Sequence, residues 1–156
     1  MSYNTAHPHI ASYMLLKKDG KVAFVLRSHT SWMNGYYGLP SGKVEKGEPY
    51  LQAAVREAKE EAGVTIKEED LQPVLTVHRY DSSSNVKDWV DVYFEASQWT
   101  GEPHNAEPHK HSELIWMDTA NLPKNVIPSV RYSLSEIEAG KHYAEYGWDK
   151  VVEGAK

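Results

Sequence analysis

Two apolar runs of strand length, Ile10 to Leu16 and Val22 to Arg27, flank Lys17-Lys18-Asp19-Gly20-Lys21. An Asp-Gly pair between such runs is a strong hairpin signal, so the pattern predicts two antiparallel strands. From Ser28 to Tyr37 no period holds, and Gly38-Leu39-Pro40-Ser41-Gly42 follows with Gly and Pro punctuation, which reads as a long loop entering a structured turn. Pro49 suits the first position of a helix, Leu51, Ala54, Val55, Ala58 and Ala62 recur at helical spacing, and Gly63 supplies the stop. Leu71 to Tyr80 is rich in β-branched and aromatic residues. Trp89 to Ala96 alternates, with Val90, Val92 and Phe94 on one face and Asp91, Tyr93 and Glu95 on the other. Both segments read as strands. Thr100 to Ser112 reads as loop, Leu114 to Met117 as a short strand, and Ser129 to Ala139 as a helix with Val130, Leu134 and Ile137 on one face. The segment from Lys141 onward is aromatic and charged, with no period of its own. Strands, helix, strands, helix is the order of an α+β or mixed-sheet α/β fold, and with no repeat or linker in view residues 1–156 are expected to form one domain.

Composition narrows the chemistry. Hydrophobic residues make up 40% of the chain and charged residues 25%, the balance of a folded globular domain. Cysteine is absent, which removes disulfides, thiolate metal sites and cysteine nucleophiles and points to a reducing compartment, the cytoplasm. No apolar run approaches the ~18 residues that span a bilayer, and the start lacks the basic and apolar regions of an export signal, so no membrane partner is expected. The formal charge of −5 gives no basic footprint for a nucleic-acid polymer. An acidic protein acting on a phosphate ester must gather local cations, either Lys and Arg or a bound metal.

The helix supplies the candidate for that metal. Glu57, Glu60 and Glu61 lie within about a quarter turn of one another, on the flank of the apolar stripe, and are expected to look out from beside the core. Glu57 and Glu61 are a like-charge pair four residues apart near the negative end of the helix dipole, an arrangement that a hard divalent cation relieves. Mg2+ favours such oxygen ligands and keeps several waters. Taken alone the helix is explained as well by a solvated face with Lys46, Arg56 and Lys59 as counter-charges.

The flanking residues change that balance. Gly42 to Val64 resembles the Nudix box, G-x5-E-x7-R-E-U-x-E-E-x-G-U, with every identity present and only Ala58 smaller than the usual aliphatic residue. Fixed residues at average frequencies of roughly one in fifteen make a chance match to all of them about one in 10^8 per starting position. Leu26-Arg27, the approach to Gly42 and Leu114 to Met117 are similar to Nudix features as well. The resemblance implies an α/β/α sandwich around a mixed β-sheet and a hydrolase that cleaves a diphosphate linkage with Mg2+, Mn2+ being a substitute. It implies that Glu57, Glu60 and Glu61 and the Ser41 carbonyl bind metal, that Arg56 orients the carboxylates, that Glu48 supports Arg56 and that Gly42 and Gly63 shape the loop at positive-φ positions that only glycine tolerates. Family members differ over the general base; Glu57 and Glu60 are candidates, with Glu107 and then Glu113 outside the box.

The substrate is read less directly. Arg27, Lys43, Gly42, Tyr80 and Trp116 form the candidate substrate-binding set. Arg79 and Lys110 are further cations that a phosphate would meet. Tyr36, Tyr37, Trp89, Tyr143, Tyr146 and Trp148 are aromatics able to stack on a base, with the Ser28 to Tyr37 loop and the C-terminal aromatic segment as pocket walls. His104, His109 and His111 invite a transition-metal reading that loop context disfavours. The Trp99 to Pro103 turn and Glu113 to Trp116 look similar to MutT-like nucleoside triphosphate pyrophosphohydrolases. The expected substrate is therefore a small nucleotide, a nucleoside triphosphate, modified or not, going to monophosphate and pyrophosphate. Dinucleoside polyphosphates and nucleotide sugars are the alternatives. A non-catalytic nucleotide sensor would have lost box carboxylates, and none is lost. Homodimers are common in the family.

Overall fold

The computed structural model describes residues 4–151. Eight strands and two helices follow one another as β1 (His9–Lys18), β2 (Lys21–Arg27), β3 (Tyr37–Gly38), β4 (Ser41–Lys43), α1 (Tyr50–Ala62), β5 (Gln72–Tyr80), β6 (Asp88–Ala96), β7 (His111–Met117), α2 (Pro128–Glu138) and β8 (Tyr143–Tyr146). The first hairpin turns as its Asp-Gly pair requires: Asp19 at φ 53° and Gly20 at φ 75° are both left-handed, the geometry that matches the twist of the flanking strands.

Beyond that turn β1 and β2 separate. They pair only at Lys17 with Val22 and Lys18 with Lys21. Residues 9–16 of β1 pair in parallel with β6, and Ala11 to Tyr13 pair antiparallel with β4. β5 lies antiparallel to β6, and β8 runs parallel to β5 at the edge. β2 instead takes β3 and β7 as antiparallel partners. A mixed sheet and a smaller antiparallel sheet thus share the hairpin as their hinge.

Side-chain alternation on β1 sends Met14 and Leu16 to one face and Leu15 to the other. The first face packs on Ala54, Ala58 and Ala62 of α1, the second on Val130 and Leu134 of α2. The sheet therefore sits between helices, and the α/β/α arrangement is the observed one. Both faces of β6 are covered, so Asp91 and Tyr93 are as buried as Phe94. The alternation expected there is present, but it does not separate core from solvent.

Three local differences from the sequence reading have physical causes. Pro49 stands one residue before α1, extended at ψ 158°, and the helix starts at Tyr50. The buried stripe of α1 is made of small residues, Ala53, Ala54, Ala58 and Ala62, while Leu51 and Val55 are only half-buried. Small side chains let the helix approach the sheet closely. β8 carries no readable period because four residues at a sheet edge, with Ala144 inward and Tyr143 out, are too few to show one.

Candidate active site

The site begins with the closeness of α1 to β4. Register with Ser12 lays Gly42 across the helix, and a Cβ built on Gly42 would stand 2.0 Å from Glu57 Oε1. Gly42 is therefore needed for close approach. A left-handed backbone, expected for the loop glycines, is found at Gly63, φ 71°, where it caps α1. Glu57 and Glu61 do not look out from beside the core. Each is only 7% exposed, covered by β4 and by the segment that follows Gly101. That segment is tied down over the helix end by His104 N–H donating to Ala62 O at 3.0 Å and Ala106 N–H to Glu61 O at 3.2 Å.

Arg56 organises the acids. Its Nε and Nη2 donate to the two oxygens of Glu48 at 2.7 and 2.8 Å, its Nη1 to Glu57 Oε1 at 2.7 Å and Glu60 Oε2 at 3.3 Å, and Nη2 also reaches the Lys43 carbonyl at 3.1 Å. The planar fork of a guanidinium is suited to this bidentate grip. Hydrogen bonding from Arg56 holds the Glu48 carboxyl down at about 2. Ser41 N–H donates to Glu61 Oε2 at 2.8 Å. Burial is the larger influence on the inner pair: Glu57 is pushed up to about 7 against the pull of Arg56, and Glu61 to about 8 against the Ser41 N–H.

Glu107 raises both of those acids further through its charge. It arrives on a turn closed by Lys110 N–H and His111 N–H donating to its carbonyl. Lys110 Nζ lies 3.2 Å from its carboxylate. The buried Glu57 and Glu61, with Glu107 beside them and Glu60 at the exposed edge, thus outnumber the cations Arg56 and Lys110. Among the described residues no group of three His, Asp or Glu side chains is arranged to hold a metal ion by itself. The donors are nonetheless all hard oxygens, and Arg56 and Ser41 each occupy one oxygen of an inner carboxylate. That is an open, acid-rich half-site of the kind a Mg2+-class cation completes with water and phosphate oxygens.

The remaining expected residues divide between this site and others. Arg27 is half-buried, with Nε donating to Trp32 O at 2.9 Å and its guanidinium over the Trp32 ring. It lines a small cavity together with Tyr13, Trp32, Ser41 and Ile127. Trp32 and Ile127 also line a cleft of about 450 Å3, walled by Met33, Tyr80, Tyr132 and Tyr146 and rimmed by Asp81 and Glu145. The two spaces share Trp32 and Ile127, and the smaller one is also lined by Ser41, whose N–H donates to Glu61. Tyr80 and Tyr146 are where a pocket wall was expected, and Trp148 props Tyr80 from behind at 5.4 Å between rings.

Others are engaged elsewhere. Trp116 stacks on Trp99 and packs against the α1 side of the sheet. Lys43 sends its ammonium over Trp89 and contributes its carbonyl to the Arg56 network. Arg79, expected as a phosphate contact, lines the aromatic cleft but is only 5% exposed and is held by ion pairs with Asp91 at 2.5 Å and Asp81 at 3.6 Å. Glu113 accepts a hydrogen bond from the Tyr37 hydroxyl. Tyr36 and Tyr143 are exposed. The three histidines do not converge: His104 covers Gly63, His109 pairs with Glu107, and His111 is buried. Trp32 and Tyr132 were not singled out by sequence. Trp32 lies in the loop expected as a wall, but no periodicity distinguishes it from its neighbours.

Comparison with known proteins agrees with this geometry. The NUDIX domain profile matches residues 6–136. The chain is 32% identical over 118 residues to an ADP-ribose pyrophosphatase of Methanocaldococcus jannaschii, covering 76% of this chain and 66% of that protein. It is 30% identical over 112 residues to the uncharacterized Nudix hydrolase YvcI of Bacillus subtilis, covering 70% of this chain and 67% of that protein. The chain thus spans about two thirds of the length of these relatives. A MutT NUDIX hydrolase of Burkholderia pseudomallei superposes with a TM-score of 0.75 at 28% identity, over 83% of this chain and 98% of that one. The chain belongs to the Nudix hydrolase family.

Proposed function

We propose that residues 1–156 work as one domain that hydrolyses the diphosphate linkage of a nucleoside triphosphate to the monophosphate and pyrophosphate. The observation that carries this reading is the acid site itself: Glu57 and Glu61 buried against Gly42 and Ser41, with Arg56 bridging Glu48, Glu57 and Glu60. Burying like charges this way is costly without a cation to share them. In this reading Glu57, Glu60, Glu61 and the Ser41 carbonyl hold Mg2+ or Mn2+. When bound, the ion neutralises the diphosphate and acidifies the attacking water.

The chain's own residues do the rest. Arg56 and Glu48 keep Glu57 and Glu60 fixed, so that positioning is settled before substrate arrives. Glu107 serves as the base that takes the proton from water, because its charge is felt at both Glu57 and Glu61 while Lys110 at 3.2 Å holds it in place, whereas Glu113 is turned to the Tyr37 hydroxyl. Arg27 meets the phosphates from the Ser41 side, and the adjoining cleft takes the nucleoside; about 450 Å3 suits one nucleoside with its sugar. Relatives include proteins named 8-oxo-dGTP diphosphatase and CTP pyrophosphohydrolase in Escherichia coli, which supports a triphosphate over a dinucleotide. Such a substrate and the cysteine-free chain fit work in the cytoplasm.

The test is a panel of nucleoside triphosphates, dinucleoside polyphosphates, nucleotide sugars and ADP-ribose with Mg2+, using Glu61→Gln and chelator as controls. Turnover of a triphosphate that drops at least about 100-fold in the variant is expected. Wild-type rates no higher than those of Glu61→Gln across the panel would overturn the enzymatic reading.

A further inference from the structure

Between β2 and β3 the loop around Trp32 is strained. His29 at φ 55° and Met33 at φ 53° are both left-handed without being glycine. Such a conformation is unfavourable and persists only where surroundings impose it. The surroundings here are hydrogen bonds onto the tryptophan backbone: Arg27 Nε donates to Trp32 O at 2.9 Å and Thr30 Oγ1 to the same carbonyl at 2.8 Å. Asn34 in turn clamps Thr30, its Nδ2 donating to the Thr30 carbonyl at 2.7 Å and its Oδ1 accepting the Thr30 N–H at 2.9 Å. Arg27 also lies over the indole ring, 5.3 Å from its centroid.

What this scaffold presents is an unsatisfied donor. Trp32 Nε1 is buried and has no hydrogen-bond partner among the described residues. Leaving a buried donor unpaired is unfavourable, and the exceptions call for an explanation. Trp32 stands where the small cavity holding Arg27 and Ser41 meets the aromatic cleft with Tyr132 and Tyr146. The cleft is lined as well by the carboxylates of Asp81 and Glu145, which accept from N–H or O–H groups, and by Arg79, which lies 3.6 Å from the Asp81 carboxylate.

We propose that Trp32 is a specificity-determining residue whose indole N–H, covered in this structure, is uncovered as a nucleotide enters and then donates to an acceptor on its base, a carbonyl oxygen or an unprotonated ring nitrogen. The proposal rests on the nucleotide reading above and adds what reads the base.

Two measurements test this. Trp32→Phe keeps an aromatic ring and deletes the N–H; on the best triphosphate of the panel it should raise KM about 5- to 10-fold and leave kcat within about twofold. In the wild-type protein the indole resonance of Trp32, followed by 1H–15N NMR, should move downfield on titration with the corresponding nucleoside monophosphate, so the outcome does not depend on the variant folding. A monophosphate that binds without moving that resonance, or an unchanged KM in a folded Trp32→Phe protein, overturns the proposal. Absence of wild-type turnover on every nucleotide would instead remove the reading beneath it.

Discussion

Gly42 and Arg56 carry the most information per atom. No Cβ fits at Gly42, since it would lie 2.0 to 2.6 Å from the atoms of the Glu57 carboxylate. Gly42→Ala should therefore displace Glu57 and lower kcat about 100-fold, with far-UV circular dichroism unchanged, because small misplacements of a catalytic group have effects of that size. Arg56→Lys keeps the charge but loses the two-pronged hold on Glu48 and the reach to Glu57. A fall of about 10- to 100-fold in Mn2+ affinity, measured by calorimetry, is expected, and an unchanged affinity would show that the network does not position the ligands. Both residues were legible as members of the box. What sequence misjudged was the reason for Gly42, because its spacing reveals a requirement for glycine and not whether φ or an approaching carboxylate imposes it.

At the scale of elements, α1 is closed by two features that meet at one point. Gly63 is left-handed at φ 71°, and a Cβ there would strike the His104 ring at 2.1 Å. Gly63→Ala should cost about 1–2 kcal/mol from the backbone alone, a fall of roughly 2–4 °C in Tm per kcal/mol, with more from the clash. Adding His104→Ala should recover only the clash portion, and full recovery in the double variant would contradict the backbone argument. The helix, the first hairpin and the long strands were readable because each repeats its period several times. β8 and the three-residue β4 were not, since strands that short are set by the neighbours they pair with. The acid face was misjudged for a related reason: the wheel places Glu57 and Glu61 beside the stripe, but only the tertiary cover from β4 and the segment after Gly101 buries them.

At the scale of the molecule, the burial of two acids makes stability depend on pH and metal together. Glu57 and Glu61 leave their ordinary value of 4.5 and reach about 7 and 8 in the folded chain. Above about pH 4.5 the native state therefore holds protons that the unfolded chain has released, and metal-free stability falls as pH rises through 7 to 8. Glu48, held at about 2, is ionised in both states between pH 6.5 and 8 and adds nothing there. His111, pushed by burial down to about 4, is neutral in the native state while the unfolded imidazole is half protonated at pH 6.5, so it opposes the fall, but by less than the two acids produce. Thermal melts in chelator should thus show a lower Tm at pH 8 than at pH 6.5. Saturating Mg2+ should raise Tm more at pH 8, because it binds the ionised acids. A metal increment that is equal at the two pH values would mean that the cation binds elsewhere. No helix among the described residues is long and apolar enough to cross a membrane.

The claim beneath all three scales is that α1 is a cation site, and the free-Mn2+ signal in electron paramagnetic resonance tests it most directly. At pH 8 the wild-type protein should remove that signal as it is titrated in, while Glu57→Gln and Glu61→Gln, both folded by circular dichroism, should leave most of it. Equal loss of signal in wild type and variants would contradict the account.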